Sequence, residues 1–337
     1  MAARFRLLDL NEVCVNTVIQ CFDHFDLITF SLCSKKRLAN VRSLKLPIRK
    51  LKLVCGNTFH ARLIFKGNYM QLFFCEDGYD RLLDQRDNRP RRLQVNYIEG
   101  CNRERIHRWR KANFRDNDWL RHFMDVFNCD FICSMVVFES KFEIDSLVDI
   151  VRNLNIAKFS TFQNIPKHYT LSFLRAQPCV EILDVKSLTF DEPSEYSILL
   201  RNQQNLTFRT GDKITLDIVL SVNSLTLNCS ELSIKDVNRF IKLWQKGANP
   251  RLKHLLARFI ASGANVPVFN ENYVLRGVQY QRIPQGTVRM FEMPAGRRVN
   301  GVEVNEGFDI IGKNGRKATV HLENDLPFLY FRMYVWQ

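Results

Sequence analysis

Residues 230–255 read SELSIKDVNRFIKLWQKGANPRLKHL and contain the clearest helix signal in the chain. Ser233 and Asp236 form a start that resembles a capping box, and Gly247 follows the last apolar residue, as is typical of a helix end. Four apolar residues between them are spaced at i, i+3, i+4 and i+7: Val237, Phe240, Ile241 and Trp244. This spacing predicts a helix over 234–246 whose apolar face belongs to the core.

Short apolar strands precede and follow this helix at separations of 19 to 27 residues. Their centres are Val137, Phe159, Leu183, Leu206, Leu225 and Leu252. Helical segments are predicted between them, at 144–154, 195–200 and 217–220. A strand and a helix in every 20 to 29 residues or so are typical of leucine-rich repeats. One such unit cannot bury its apolar face alone, so the sequence predicts a degenerate leucine-rich-repeat-like α/β solenoid of stacked units.

The end of the chain has strong β signals. Strands are predicted over 308–311 and 318–322, joined through Asn314 and Gly315, a dipeptide that favours tight hairpins. An aromatic strand over 328–336 follows. The predicted solenoid therefore ends in a β-hairpin.

The first forty residues predict three short helices. A helix over 11–22 carries apolar residues on two sides, which is typical of a helix that is buried on both. Asp26 is the predicted N-cap of the second helix, and Ser34 precedes a basic third piece over 35–41. About forty residues are too few to bury this much apolar surface internally. We therefore expect a partner, either the rest of the chain or another protein.

A β-rich region follows the helices. Residues 48–54 alternate basic and apolar side chains, as a half-buried strand does. Residues 60–65 and 70–75 flank a turn and predict a hairpin. The arginine-rich segment 84–111 is predicted as a loop with a helical end. The fold class is thus mixed, α+β or α/β.

The formal charge of +14 is unevenly distributed. Residues 27–75 contain ten lysines or arginines and no acidic residue, and residues 86–111 contain nine lysines or arginines. Such asymmetry is typical of proteins that bind nucleic acid or acidic partners. Solvated faces and basic helix ends are the simpler interpretation, and we favour it.

Catalytic and metal-binding patterns were sought in the sequence. The ten cysteines are scattered, and the one close pair, Cys129 and Cys133, has no second pair at zinc-like spacing. Phosphate-loop, zinc-protease, nucleophile-elbow and dinucleotide motifs are absent from the sequence. No apolar run reaches the ~20 residues that span a bilayer. We expect a soluble, intracellular protein that is not an enzyme and has no metal, other cofactor or membrane partner.

Residues 5–41 read FRLLDLNEVCVNTVIQCFDHFDLITFSLCSKKRLANV. They resemble an F-box, in the form used by the large nematode F-box families. The shared features are a leucine at the head of helix one, an Asp-Leu pair that opens helix two, and SLCSKK at its end. Asn11 stands where the family has proline. Asparagine can cap the helix instead, so folding should survive, but the partner contact made by the proline ring is lost.

Three further segments strengthen the resemblance. Residues 230–255 resemble the nematode F-box-associated domain, with Trp-x-x-Gly before a leucine strand. Residues 310–336 are similar to the end of that domain, where a glycine hairpin leads to an aromatic strand. Residues 116–128, predicted as a helix from Asp116 or Asp118, resemble a helix between the two parts. The resemblance implies an F-box at 1–45, a β-rich connecting region with a basic loop at 46–115, and an F-box-associated domain at 116–337.

The resemblance implies a substrate receptor of a Skp–cullin–F-box ubiquitin ligase. The F-box would bind a Skp-family adaptor and, through it, a cullin, and the C-terminal domain would bind an unknown protein substrate. The residues that would face the adaptor are Leu10, Asn11, Val15, Ile19, Leu27 and Ile28. The alternative is that the apolar members of this set form the core of the F-box itself. The receptor performs no chemistry.

Basic residues provide a second candidate set. Lys35, Lys36 and Arg37 could steer association with an acidic adaptor, or could simply be solvated. The substrate would bind the strand face of the solenoid or the basic region 86–111, whose candidate residues are Arg103, Arg105 and Arg108. Two alternatives remain open: a basic scaffold that binds nucleic acid or an acidic partner, and an F-box relic that no longer joins a ligase. Nucleic acid is the less favoured partner.

Overall fold

The computed structural model describes residues 10–46, 48–56, 58–75, 92–99, 103–111, 113–138, 143–162, 165–177, 180–185, 195, 197, 203–208, 215–230, 232–260, 270–294, 301–325 and 327–336. The chain divides into two compact units: unit 1 comprises residues 1–136 and 140–156, and unit 2 comprises 137–139 and 157–337. Both units mix helices with strands, so the predicted mixed fold class is confirmed. The solenoid and the predicted boundaries at 45/46 and 115/116 stay predictions.

Unit 1 begins with three helices: α1 (Glu12–Ile19), α2 (His24–Leu32) and α3 (Lys35–Ser43). Each begins at a side chain that accepts a hydrogen bond from the first turn, namely Asn11, Asp23 and Ser34. The prediction of three helices is confirmed. Asp26 is not the cap of α2, because Asp23 lies three residues earlier and accepts the hydrogen bond from the Asp26 amide at 2.9 Å.

Unit 1 also contains a sheet. Its strands are β1 (Lys50–Cys55), β2 (Phe59–Ile64), β3 (Asn68–Cys75), β4 (Arg92–Glu99), β5 (Arg103–Arg110) and β6 (Ser134–Val137), the last of which ends just past the unit boundary. The strand order is β6–β1–β2–β3–β4–β5, and β1 to β5 pair antiparallel. The predicted hairpin of β2 and β3 is confirmed, with Gly67 at a positive φ of 92° in its turn.

The predicted loop over 84–111 is wrong where the structure describes it. Residues 92–99 and 103–110 form the β4–β5 hairpin, whereas 84–91 and 100–102 lie outside the described residues. The sequence of β5, RERIHRWR, places charged residues at both odd and even positions, so it lacks the alternation that marks a strand. Its order comes from pairing with β4, in which Gln94 lies opposite Arg108.

Helix α4 (Asp116–Val126) supplies much of the core of unit 1 and begins at one of its two predicted starts. Trp119, Leu120 and Phe123 are fully buried. The side chain of Asn117 donates to the Ile150 carbonyl at 2.6 Å and so connects α4 to α5 (Ile144–Ile150). Helix α4 also contacts α2 and α3.

One buried polar contact joins α2 to α4. The Ser31 hydroxyl donates to the Ile28 carbonyl at 2.6 Å, which leaves its oxygen free to accept from His122 Nε2–H at 2.8 Å. Burial and, to a smaller extent, the nearby cation Lys111 lower the pKa of His122 to about 4. At neutral pH this histidine is therefore an uncharged hydrogen-bond donor in the core.

Unit 2 starts with five parallel strands: β7 (Lys158–Thr161), β8 (Ile182–Val185), β9 (Asn205–Phe208), β10 (Thr226–Ser230) and β11 (His254–Ile260). Helices lie between them along the chain: α6 (Lys167–Ala176), α7 (Leu216–Ser221) and α8 (Ile234–Gln245). The predicted strand and helix repeat is confirmed in this part. The helix predicted over 195–200 lies largely outside the described residues.

The register of the parallel strands places one apolar row on a single face. Phe159 lies beside Leu183, which lies beside Leu206, and the row continues through Leu227 to Leu255. All five are almost fully buried. Because side chains alternate between the two faces of a sheet, the residues before and after each of them lie on the opposite face.

The C-terminal part adds antiparallel strands next to β11. They are β12 (Tyr280–Arg282), β15 (Phe308–Ile311), β16 (Lys317–Asp325) and β17 (Phe328–Val335), in the order β11–β17–β16–β15–β12. A separate two-stranded ribbon consists of β13 (Arg289–Phe291) and β14 (Val302–Val304), and α9 (Glu271–Val274) is a single turn. The predicted hairpin of β15 and β16 is confirmed, with positive φ at Asn314 and Gly315.

A buried ion pair connects β13 to β15. Arg289 donates two hydrogen bonds to the Asp309 carboxylate at 2.8 and 2.9 Å. Burial by itself would raise the pKa of Asp309, but hydrogen bonds from Arg289, Lys317 and Thr319 hold it at about 2. The Trp336 indole donates to the Thr319 hydroxyl at 2.8 Å and completes the network.

The buried histidine predicts a pH-dependent stability. Below pH 6.5 the unfolded chain binds a proton at His122, whereas the folded chain does so only near pH 4. Unit 1 should therefore lose up to about 3 kcal/mol as the pH falls from about 6.5 to about 4. Urea unfolding at a series of pH values should show this loss, and the variant His122→Gln should show less of it.

The exposed residue His168 on α6 provides the matched control. The variant His168→Gln should keep the pH dependence of the unaltered protein. An unaltered slope in His122→Gln would mean that another group titrates in this range.

Candidate partner-binding surfaces

The start of α1 is held by Asn11. Asn11 Oδ1 accepts a hydrogen bond from the Cys14 amide at 2.8 Å, and its backbone is extended, with φ −63° and ψ 162°. The Val15 amide donates to the Asn11 carbonyl at 3.0 Å and begins the helical pattern. Asn11 therefore caps the helix, as the sequence predicts, and Leu10 before it is half-buried.

Four of the residues predicted to face an adaptor are buried in unit 1. Val15, Ile19, Leu27 and Ile28 are at most 3% exposed. This is the alternative that the sequence left open, in which these side chains form the core. Adaptor binding by these residues stays a prediction, and direct contact would require the surrounding packing to open.

Helix α2 is covered by the β5 strand and the segment after it. The Phe25 ring lies 4.4 Å from the His107 ring, between centroids. The Trp109 indole donates to the Thr29 hydroxyl at 3.3 Å, and the Lys111 ammonium donates to the Leu32 carbonyl at 3.3 Å. Other parts of unit 1 therefore cover apolar surface of the N-terminal helices that the helices cannot bury among themselves.

The outer face of α1 has an apolar residue that the sequence analysis missed. Val13 is 75% exposed, and Cys14 and Thr17 beside it on the helix are also exposed. The sequence pattern pointed to Val15 and Ile19 because it cannot distinguish which apolar side of a short helix faces the core. Thr17, four positions after Val13 and on the same side of the helix, is polar. This was the sequence signal that the Val13 side faces solvent.

The predicted steering residues lie in the first turn of α3. Lys35 and Lys36 are exposed, and the guanidinium of Arg37 lies 5.5 Å from the centre of the Phe30 ring. The first turn contains no acidic residue. A helix N-terminus is the positive end of the helix dipole, so cations there do not stabilise the helix. Their position favours a role in contacting an acidic partner.

The three arginines of the basic region lie on β5. Arg108 is exposed, and its Nε donates to Gln94 Oε1 at 3.4 Å. The backbones of Arg103 and Arg105 are in the strand, but their side chains lie outside the described residues. The register places Arg103, Arg105, Arg108 and Arg110 on one edge strand rather than in a loop.

Part of the polar face of the parallel strands is bonded to itself. Ser160, Asp184, Thr207 and Asn228 lie side by side across β7 to β10. Asn228 Nδ2 donates to Thr207 Oγ1 at 2.9 Å, and Lys158 pairs with Asp184 at 3.4 Å. Asp184 and Asn228 are nearly buried. This row is therefore a structural ladder, and it favours surfaces elsewhere for contact with a substrate.

An open cleft of about 760 Å³ lies in the C-terminal part of unit 2. Two polar pairs line it: Arg282 forms an ion pair with Glu271, and His321 Nε2 lies 3.0 Å from a Glu306 carboxylate oxygen. One exposed apolar residue, Val288, also lines it. The described ionisable side chains that line the cleft all belong to these two pairs, so none of them is an unpaired group that would identify a charged ligand.

Two of the described cysteines have thiols that are hard to ionise. Burial raises the pKa of the Cys229 thiol to about 12 and also raises the pKa of Cys129, which makes both poor nucleophiles. Within the described ranges there is no group of three or more His, Cys, Asp or Glu side chains that could hold a metal ion. None of the described helices is both long and apolar enough to cross a membrane.

The chain was compared with known proteins. Residues 196–256 match the family model described as F-box associated, and this stretch contains β9, α7, β10 and α8 and the first residues of β11. The match supports an F-box-associated protein. It also supports a role in protein–protein interaction. No curated protein and no solved structure matches the chain.

Trp244, which lies in the matched stretch, packs in the core. Trp244 is 2% exposed, as the helical spacing predicts, and a Cβ atom at Gly312 would lie 2.8 Å from its ring. Only glycine can therefore occupy position 312 while the tryptophan keeps its place. The Arg316 guanidinium lies 5.9 Å from the centre of the same ring and donates to the Leu252 carbonyl. Trp244 thus joins α8 to the β15–β16 hairpin.

The cap of α1 generates a prediction. Asn11→Ala removes the acceptor of the Cys14 amide and should lower the free energy of unfolding of unit 1 by about 1 kcal/mol. Asn11→Ser keeps an acceptor and should lose much less. Urea unfolding of the three proteins measures both changes. Equal stability of the alanine and serine variants would show that the cap contributes nothing.

Proposed function

We propose that this chain is the substrate-recognition adaptor of a Skp–cullin–F-box ubiquitin ligase. The observation that carries the proposal is the F-box-associated match at residues 196–256, which follows three N-terminal helices in the same chain. The helices would bind a Skp-family adaptor and, through it, a cullin. Unit 2 and the basic edge of unit 1 would hold a protein substrate. Such a ligase works inside the cell, in the cytoplasm or the nucleus.

In this function the chain is not an enzyme. It would bring a substrate lysine close to the loaded conjugating enzyme and so raise its effective concentration. The required properties are two separate binding surfaces on a stable scaffold. The exposed apolar Val13 and the cationic first turn of α3 support the first surface, because Skp-family proteins are generally acidic.

Because the apolar side chains of α2 are buried, substitutions that test adaptor binding must be made elsewhere on the helices. Leu27 and Ile28 are almost completely buried, so charged substitutions there would disrupt the core and abolish binding without identifying a contact. Val13 is 75% exposed, so a substitution there changes the surface alone.

Co-purification of the full chain with a Skp-family adaptor tests the proposal. The unaltered chain should bind, and Val13→Arg should weaken binding by about tenfold or more, because a charge would replace an apolar contact. Lys35→Glu/Lys36→Glu should slow association with an acidic adaptor. Circular dichroism and thermal unfolding would verify that each variant folds.

A matched control is available in unit 2. Val288 is 58% exposed, and Val288→Arg makes the same chemical change far along the chain, so it should bind like the unaltered protein. A folded, unaltered chain that does not bind the adaptor would refute the proposal. Equal binding by Val13→Arg would place the contact on another face of the helices.

The second candidate function is a basic scaffold that is not joined to a ligase. The four arginines of β5 and the acid-free first turn of α3 favour it. Binding to single-stranded nucleic acid that falls steeply with salt, together with no adaptor binding, would support this alternative.

A further inference from the structure

Strand β5 lies at the end of the strand order of unit 1. Among the described strands, β4 is its one neighbour. It spans eight residues, Arg103–Arg110, and contains neither proline nor glycine. Alternate residues of such a strand direct their main-chain N–H and C=O groups away from the sheet, where another strand can pair with them. By contrast, the end strand β12 of unit 2 has only three residues and is followed closely by Pro284.

One face of β5 is fixed by α2. The ring of His107 packs on Phe25 at 4.4 Å between centroids, and the Trp109 ring lies 5.7 Å from the same phenylalanine. The Trp109 indole also donates to the Thr29 hydroxyl. The strand is therefore held in an extended conformation before any partner arrives, which reduces the entropy cost of binding.

The opposite face of β5 offers side chains to a partner. Ile106 is 57% exposed, and Arg108, two residues further on the same face, is exposed as well. The amide of Gln94 accepts from Arg108 across the hairpin and leaves the other guanidinium nitrogens available. An added strand would thus meet an apolar side chain and a cation side by side.

The charge of β5 selects among the possible occupants. The strand contains four arginines and one glutamate, and Arg92 lies opposite Arg110 on β4. A second copy of β5 would place two strands next to each other, each with a net charge of +3 from four arginines and one glutamate. The repulsion between these like charges disfavours self-pairing. A strand that carries carboxylates would place opposite charges at the same positions.

We propose that β5 is a strand-addition site for an acidic, extended segment of a protein partner. This inference rests on the proposed function to the extent that the partner would be the captured substrate. Main-chain hydrogen bonds to the edge that no described strand covers would supply affinity, and the arginines would select for acidic residues. Ile106 would give a contact for one apolar side chain.

The test uses the full chain without a Skp-family adaptor. The probe is a fluorescein-labelled peptide of about ten residues in which glutamate alternates with valine and threonine, a length that covers the strand. Its matched partner has the same sequence with every backbone amide nitrogen methylated, so its charge is unchanged but neither of its edges can donate main-chain hydrogen bonds to a strand. Fluorescence anisotropy at low salt should show binding of the first peptide and about tenfold weaker binding of the methylated one.

Protein variants test the charge contribution independently. Arg108→Glu/Arg110→Glu changes two residues that alternate with Trp109 and so lie on the face opposite α2, and it should weaken binding of the unmethylated peptide by about tenfold or more. Lys235→Glu/Arg239→Glu makes the same charge change on the exposed face of α8 and should stay within about twofold of the unaltered chain.

Three results would overturn the inference. Equal binding of the methylated peptide would show simple charge attraction without strand pairing. Equal effects of the two double variants would show that net charge, and not β5, attracts the peptide. A single-stranded oligonucleotide of equal charge that binds more tightly, and loses binding in the β5 variant, would assign the strand to nucleic acid. None of these results depends on adaptor binding, so this inference and the proposed function can fail separately.

Discussion

The packing of α2 is the interaction on which unit 1 depends. Phe25, Leu27 and Ile28 are almost fully buried, and burying a side chain of this kind contributes about 1.5–3 kcal/mol. Three short helices cannot cover this surface, so α4 and β5 complete it. The same burial removes these side chains from the surface. Contact with another protein therefore falls to residues on the outer side of the helices, of which Val13 is the exposed apolar one.

Unit 2 is organised by the register of its parallel strands. Leu206, Leu227 and Leu255 occupy equivalent positions, so each strand extends the apolar row of the previous one. On the other face, Thr207 and Asn228 bond to each other instead of to solvent. Apolar side chains of one sheet face thus form the core, and polar side chains of the other face hydrogen-bond to each other. The matched F-box-associated stretch owes its regularity to this packing.

Helices and strands were predicted correctly from the sequence where the spacing of their apolar residues matches the face that is buried. The helix that begins at Ile234 and the strands of unit 2 were found because apolar spacing and capping residues coincide. Strand β5 was missed because its charges obscure the alternation and only pairing with β4 orders it. Asp26 was mistaken for a cap because two aspartates lie within one turn. The exposed side of α1 was missed, although the polar Thr17 four positions after Val13 indicated that this side faces solvent.

The two proposed contact surfaces of unit 1 share a physical design. Each combines exposed cations with an exposed apolar side chain: Lys35 and Lys36 of α3 with Val13 of α1, and Arg108 with Ile106 on β5. Exposed charges act over about a Debye length and mainly accelerate encounter, so by themselves they give weak and salt-sensitive complexes. An apolar side chain that becomes buried acts only at contact and mainly slows dissociation. The uneven charge of the chain therefore describes how a partner would be attracted, whereas the few exposed apolar residues determine whether it would stay bound.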